Sequence, residues 1–93
     1  MNILDKAKEI TSGERRRDYD SATPNHRRIA ILWNAYDQIK ANPGSPDSPL
    51  DVVFKMILLK IARSVKTPSV DSLTDIAGYA RCGAQIAGFE KED

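Results

Sequence analysis

Ninety-three residues, 41% hydrophobic and 29% charged, are enough for one folded domain and exclude both a two-domain protein and an intrinsically disordered chain. A formal net charge of +1 argues against a generic nucleic-acid binder, which needs many phosphate contacts from a basic surface. The single cysteine, Cys82, rules out an intrachain disulfide and a cysteine-based metal framework, and it fits a reducing compartment.

Along the chain, Ile3, Leu4, Ala7 and Ile10 recur at helical spacing and Gly13 follows as a stop, which predicts a short amphipathic helix within residues 1–12. The opening residues lack the apolar core and small-residue cleavage site of a secretory signal, so the expected location is cytoplasmic. Residues 13–23 hold Arg15, Arg16, Arg17, Asp18, Tyr19 and Asp20 without an apolar period and read as an arginine-rich loop. Thr23 and Pro24 suit an N-cap and first helical position, opening a second helix over 24–41 whose stripe is Ile29, Leu32, Trp33, Tyr36 and Ile39.

Asn42-Pro43-Gly44-Ser45-Pro46 punctuates the chain as a loop. Ser48, Pro49 and Asp51 then start a third helix, 49–66, with a cap, a proline and an acid in the first turn. Its apolar residues, from Val52 to Ile61, surround most of the circumference, so it should be buried from several sides. Three other short helices hardly shield it, and a second subunit is expected to complete the core. Thr67-Pro68-Ser69 starts a fourth helix, 69–88, in a tight hairpin with the third. This last helix is rich in Ala and Gly, which lets a neighbouring backbone approach; the tail from Glu90 should fray. No run approaches the roughly 18 apolar residues of a membrane span. The expected fold is all-α, a single domain over 1–93 made of about four helices and completed by homo-oligomerisation.

Two clusters carry possible chemistry. Lys60 falls inside the apolar arc of the third helix and needs a partner, which the hairpin should supply by bringing Asp71 and Asp75 near Arg63 and Lys60. That cluster reads either as a structural ion-pair network, as a phosphate grip by Lys60 and Arg63, or as a divalent-metal site. Asp71 and Asp75 are four apart on one helical face, a workable pair of oxygen ligands for Mg²⁺ if substrate phosphates complete the set. The second cluster is Arg15, Arg16, Arg17, Arg27 and Arg28 with Tyr19, where guanidinium forks suit phosphate, although the interspersed Glu14, Asp18 and Asp20 fit a solvated surface loop equally well. Tyr19 and Tyr79 could stack on a base, whereas Trp33 sits on the apolar stripe and reads as core. His26 reads as a surface or capping residue, Cys82 as a small buried one, and neither a catalytic triad nor a phosphate-cradling glycine loop is visible.

The motifs Ile3-Leu4-Asp5, Thr11-Ser12-Gly13-Glu14-Arg15, Asp18-Tyr19, Arg28-Ile29-Ala30, Leu32-Trp33, Lys60-Ile61-Ala62-Arg63 and Asp71 to Ala80 resemble a small phage and prophage family of unknown function over nearly the whole chain. Members of that family often carry Tyr-Gly where this chain has Tyr19-Asp20. More distantly, the chain resembles the all-α nucleoside triphosphate pyrophosphatases of the MazG kind. Those use a Glu-x-x-Glu helix and a later Glu-x-x-Asp; Asp75 matches the final aspartate, Ser72 stands where the glutamate would be, and no Glu-x-x-Glu exists. The resemblance implies the cytoplasm of an infected bacterial host and a nucleotide ligand.

The expected function is binding of a phosphorylated nucleotide without turnover, with no cofactor, through Arg15, Arg17, Tyr19, Arg28, Lys60, Arg63 and Tyr79. The phage resemblance implies two settings, nucleotide-pool management during infection or removal of a nucleotide signal of bacterial immunity, and a binder without metal chemistry fits the second. One alternative is Mg²⁺-dependent hydrolysis of a nucleoside triphosphate with Asp71 and Asp75 as ligands. Another is inhibition of a host protein through an exposed helix face.

Overall fold

The computed structural model describes residues 2–11 and 21–93, and these form four α-helices with no strand among them. Helix α1 spans Ile3–Thr11 and is opened by Asn2, whose side-chain oxygen accepts from the Asp5 N–H at 2.9 Å. Ile3 and Leu4 remain exposed. Helix α2 spans Ala22–Ile39 with Ser21 as an extended N-cap residue. It begins earlier than the expected Thr23 cap, and Pro24 is accommodated in the first turn, where N–H groups have no intrahelical partner anyway.

Helix α2 ends where Lys40 turns extended (ψ 162), its N–H still bonded to the Tyr36 carbonyl at 2.9 Å. The following chain makes a turn in which Ser45 N–H reaches the Asn42 carbonyl at 3.1 Å. Pro43 then Gly44, at φ +84, are the second and third residues that a type II turn requires. Helix α3, Pro49–Ser64, starts with the full capping box expected from Ser48 and Asp51: each side chain accepts from the other's backbone N–H, at 3.1 and 2.8 Å. Helix α4, Val70–Ile86, is capped by Ser69, which accepts from Ser72 N–H at 3.1 Å.

At the end of α4 the Phe89 N–H bonds the Ala84 carbonyl at 2.8 Å and the Gly88 N–H bonds that of Gln85 at 3.1 Å. With Gly88 at φ +85 this is a Schellman stop, which glycine satisfies without a Cβ clash. The tail does more than fray: Glu90 and Asp93 fold back onto Arg81 at 2.8 and 3.2 Å. These pairs are exposed, so solvent screening leaves them little weight in the stability of the fold.

Helix α3 lies between its neighbours. On one flank Gly83 of α4 brings its backbone against Val53 and Leu50, and Lys60 reaches Asp75. On the opposite flank, about 180° round the helix, Asp51, Lys55 and Ala62 meet Tyr36, Trp33 and Arg28 of α2. A helix in the middle of a layer keeps two open faces. Accordingly the buried hydrophobic residues among those described are Ile29, Val53 and Ala62, while Phe54, Ile61 and Val65 of α3 are 42, 41 and 58% exposed. The radius of gyration is 15.5 Å, against about 12 Å for a compact domain of this length.

Candidate functional site

Two polar centres lie among the described residues. The first gathers at the α2–α3 turn. Lys40 is buried at 8% exposure; its ammonium donates to the Ser45 carbonyl at 2.6 Å and to Asp47 at 3.1 Å, with Asp51 at 3.8 Å. Lys55 bridges Asp37 and Asp47, both at 2.8 Å, and stands 5.7 Å from the Trp33 ring centroid. The Trp33 indole N–H donates to the Lys55 carbonyl at 2.7 Å, and the Tyr36 hydroxyl donates to Asp51 at 2.5 Å. Trp33, expected in the core, is half-buried and divides its ring between packing and this carbonyl.

The electrostatics follow from these contacts. The Tyr36 hydroxyl and then the Ser48 backbone N–H hold the Asp51 carboxyl down at about 2. Burial, reinforced by the same Asp51 contact, pushes the Tyr36 phenol up to about 12. The hydrogen bonds from Lys55 and Lys40 lower Asp47, and those to Asp37 and Asp47 raise Lys55. Every carboxylate in the centre is answered by a donor of this chain, so the centre acts as a clamp on the α2–α3 hairpin.

Because the folded pKa of Asp51 lies below its ordinary value, its contribution to stability is present above about pH 4 and is lost as the pH falls through about 2; Tyr36, raised in the fold, contributes below pH 10 and loses that contribution by about 12. Tyr36→Phe removes the largest cause of the Asp51 shift. Acid unfolding of that variant, followed by circular dichroism, is expected to begin at higher pH than in the wild type, and its alkaline limb between pH 10 and 12 to flatten. An unchanged acid limb would show that Tyr36 does not hold Asp51.

The second centre lies on the α3–α4 hairpin. Lys60 meets Asp75 at 3.0 Å, with the lysine side chain 16% and the aspartate 48% exposed. Asp75 also lines an open cleft of about 410 Å³ with Thr74, Gly78, Tyr79 and Cys82. Helical spacing puts Asp75 and Tyr79 one turn apart on the same face. A charge in the apolar arc of α3 thus finds its partner across the hairpin, as the spacing predicted. Cys82 is exposed in this cleft rather than buried, because the glycine-bearing face of α4 that meets α3 is the one through Gly83.

The other expected ligand residues scatter more widely. Arg28 turns its Nε–H to the Ala62 carbonyl at 3.2 Å, in the last turn of α3, where a cation complements the helix dipole. Arg63 is half-buried on α3; Asp71 is exposed in the first turn of α4 and makes no ion pair among the described residues. Arg15, Arg17 and Tyr19 lie outside the described residues. No group of three or more His, Cys, Asp or Glu able to hold a metal occurs among the described residues. Exposed His26 uses its Nδ1 on the Ala22 carbonyl at 2.7 Å, a local contact within the first turn of α2. Sequence reading missed the turn clamp: the four-apart pairs Tyr36 and Lys40, and Asp51 and Lys55, show that each pair shares one face of its own helix but not that the two faces meet.

A family model, that of the domain of unknown function DUF6378, matches residues 2–87. The chain belongs to that family. Both polar centres of this DUF6378 domain fall inside the match. The Gene 55 protein of Mycobacterium phage L5 is 48% identical over 81 residues, 86% of this chain and 49% of that protein. The Gene 55 protein of Mycobacterium phage D29 is 38% identical over 86 residues, 91% of this chain and 53% of that protein. The DUF6378 chain thus spans about half the length of these relatives. The resemblance to a phage family of unknown function, drawn from the motifs, agrees with both. No solved structure matches the chain. No helix among the described residues is long and apolar enough to cross a membrane.

Proposed function

We propose that this DUF6378 protein binds a phosphorylated nucleotide without turning it over and, among phage proteins, serves to withdraw a nucleotide signal of bacterial immunity. The observation that carries the reading is the Lys60–Asp75 pair across the α3–α4 hairpin, with Asp75 and Tyr79 together lining the cleft on α4. A phosphate takes the place of Asp75 at the partly buried ammonium, which raises the strength of that contact. Tyr79, one turn on, offers a ring face to a base, and the cleft is within the size range of small-molecule sites. Arg63 extends the cationic side along α3, three residues from Lys60. Arg28, Arg15, Arg17 and Tyr19 belong to the reading through their residue chemistry.

Hydrolysis of the MazG kind has less behind it. Its ligand pair would be Asp71 and Asp75, and the Asp75 oxygen that would face Mg²⁺ is held by Lys60 at 3.0 Å.

The test is to incubate the protein with a panel of nucleoside triphosphates and cyclic oligonucleotides plus Mg²⁺, then to chromatograph the filtrate before and after heat denaturation. One nucleotide should vanish from the filtrate and return intact on heating. Lys60→Met should raise its Kd about tenfold or more, in line with the loss of one charge-assisted hydrogen bond. Conversion to a new species would replace this reading with the hydrolase. An unchanged panel would end it and leave an inhibitor of a host protein.

A further inference from the structure

Two glycines of α4 stand in opposite surroundings. A Cβ at Gly83 would lie 3.4 Å from Val53, so glycine there lets α4 close on α3. Gly78 has no such reason. It sits in the interior of α4, its φ is not in the left-handed region, and a Cβ added to it would meet nothing within 4 Å. Glycine in a helix interior costs stability relative to alanine. No contact inside the chain offsets that cost at Gly78.

Gly78 instead lies in the middle of the cleft of about 410 Å³ on α4. Thr74 stands one turn before it and Cys82 one turn after, with Asp75 and Tyr79 along the adjoining row of the same face. From residue 74 to residue 82 the helix rises about 12 Å, at about 1.5 Å per residue. At the midpoint of that span the missing side chain leaves bare backbone.

We infer that Gly78 is the seat of the ligand's base. The flat ring lies on the backbone at Gly78 with Tyr79 against it, and the space at this position decides which ligands the cleft admits. The inference rests on the nucleotide reading and deepens it by giving base and phosphate to different groups. No Lys, Arg or His lines the cleft and the one carboxylate there is Asp75, so phosphate is repelled from the seat and belongs at Lys60, across the hairpin. A base is uncharged and can be held through its faces, for which an aromatic ring and a surface without protruding groups suffice. Exposed Thr74 and Asp75 flank the seat with polar groups, which suits a base better than the apolar core of a contact with another helix.

The test is isothermal titration calorimetry on the full chain with each nucleotide of the panel, and with inorganic tripolyphosphate as a probe that lacks a base. Gly78→Leu is the variant, because its Cβ enters open space and leucine favours a helix over glycine, while the rest of the side chain fills the seat. Its melting temperature should rise, so weaker binding would not come from loss of the fold. For a nucleotide that the wild type binds, Gly78→Leu should raise the Kd at least about tenfold and leave the tripolyphosphate Kd within about twofold. Gly78→Ala should fall between. A nucleotide Kd that Gly78→Leu leaves unchanged overturns the seat and leaves the nucleotide reading standing. An equal rise for tripolyphosphate overturns it too, since position 78 then acts on the phosphate. So does a fall in melting temperature, which would show that Gly78 packs within the fold. A wild type that binds no nucleotide of the panel ends the nucleotide reading, and the seat with it.

Discussion

Lys40→Met is expected to destabilise the protein by about 2–3 kcal/mol, out of a total of about 5–14 kcal/mol for a chain of this length. The substitution keeps the stem and removes the ammonium from a site where the side chain is 4% exposed. Three partners lose a donor: the Ser45 carbonyl, Asp47 and, at longer range, Asp51. The cost stops short of the 3–5 kcal/mol or so of a fully orphaned buried charge. Asp47 keeps Lys55, and Asp51 keeps Tyr36 and the Ser48 N–H. Urea unfolding should show a lower midpoint with an unchanged slope, and thermal unfolding a fall of about 8–20 °C. Arg81→Gln is the contrast, because its two carboxylate contacts are exposed and screened by solvent, so the unfolding midpoint should stay nearly unchanged. Equal effects from the two variants would mean that Lys40 is not a buried clamp.

Gly83→Leu is the second large effect, and its sign is set by space. A Cβ at Gly83 would lie 3.4 Å from Val53 and 3.6 Å from Leu50, ordinary contact that leaves no volume beyond it. Leucine must therefore push α4 off α3 or force its own side chain off-rotamer, at about 1–3 kcal/mol before the helix-propensity gain of about 1 kcal/mol is subtracted. Gly83→Ala should retain that gain at no packing cost. At Gly78 a Cβ would meet nothing within 4 Å, so Gly78→Ala should stabilise by about 1 kcal/mol. The melting temperatures should rank Gly78→Ala and Gly83→Ala above wild type and Gly83→Leu below it. If Gly83→Leu melts with the other two, α4 does not pack through Gly83.

Helix identity was legible because it is local. Ser48-Pro49-Leu50-Asp51 announces a capping box from four adjacent residues, and the structure contains it. Ser69 and Gly88 work in the same way at the ends of α4. The need of Lys60 for a partner was also legible, since a charge inside an apolar arc has few ways to be satisfied and Asp75 lies one hairpin away. The turn clamp was not: Asp37, Lys40, Asp47, Asp51 and Lys55 look like ordinary solvated charges along two amphipathic helices. What unites them is the direction taken by the turn at Gly44, and no periodicity encodes that. Cys82 was misplaced for a related reason, because the small residues of α4 occur on several faces and composition does not tell which face meets α3.

Four helices, their caps, the turn between α2 and α3 and the DUF6378 motifs are written in residues close together in the chain, where propensity, capping and φ restrictions act over a few positions. The order of α2, α3 and α4 in one layer, the closure of the polar clamp, the solvent-facing cleft at Asp75 and Tyr79, and the open faces of α3 depend on contacts between residues far apart in sequence. Hydrophobic burial is nondirectional and tells α3 only that it must be covered. Which flanks α2 and α4 take, and which faces stay open, is set by the close approach at Gly83 and the bonds from Arg28, Trp33 and Tyr36 that fix each helix against the next.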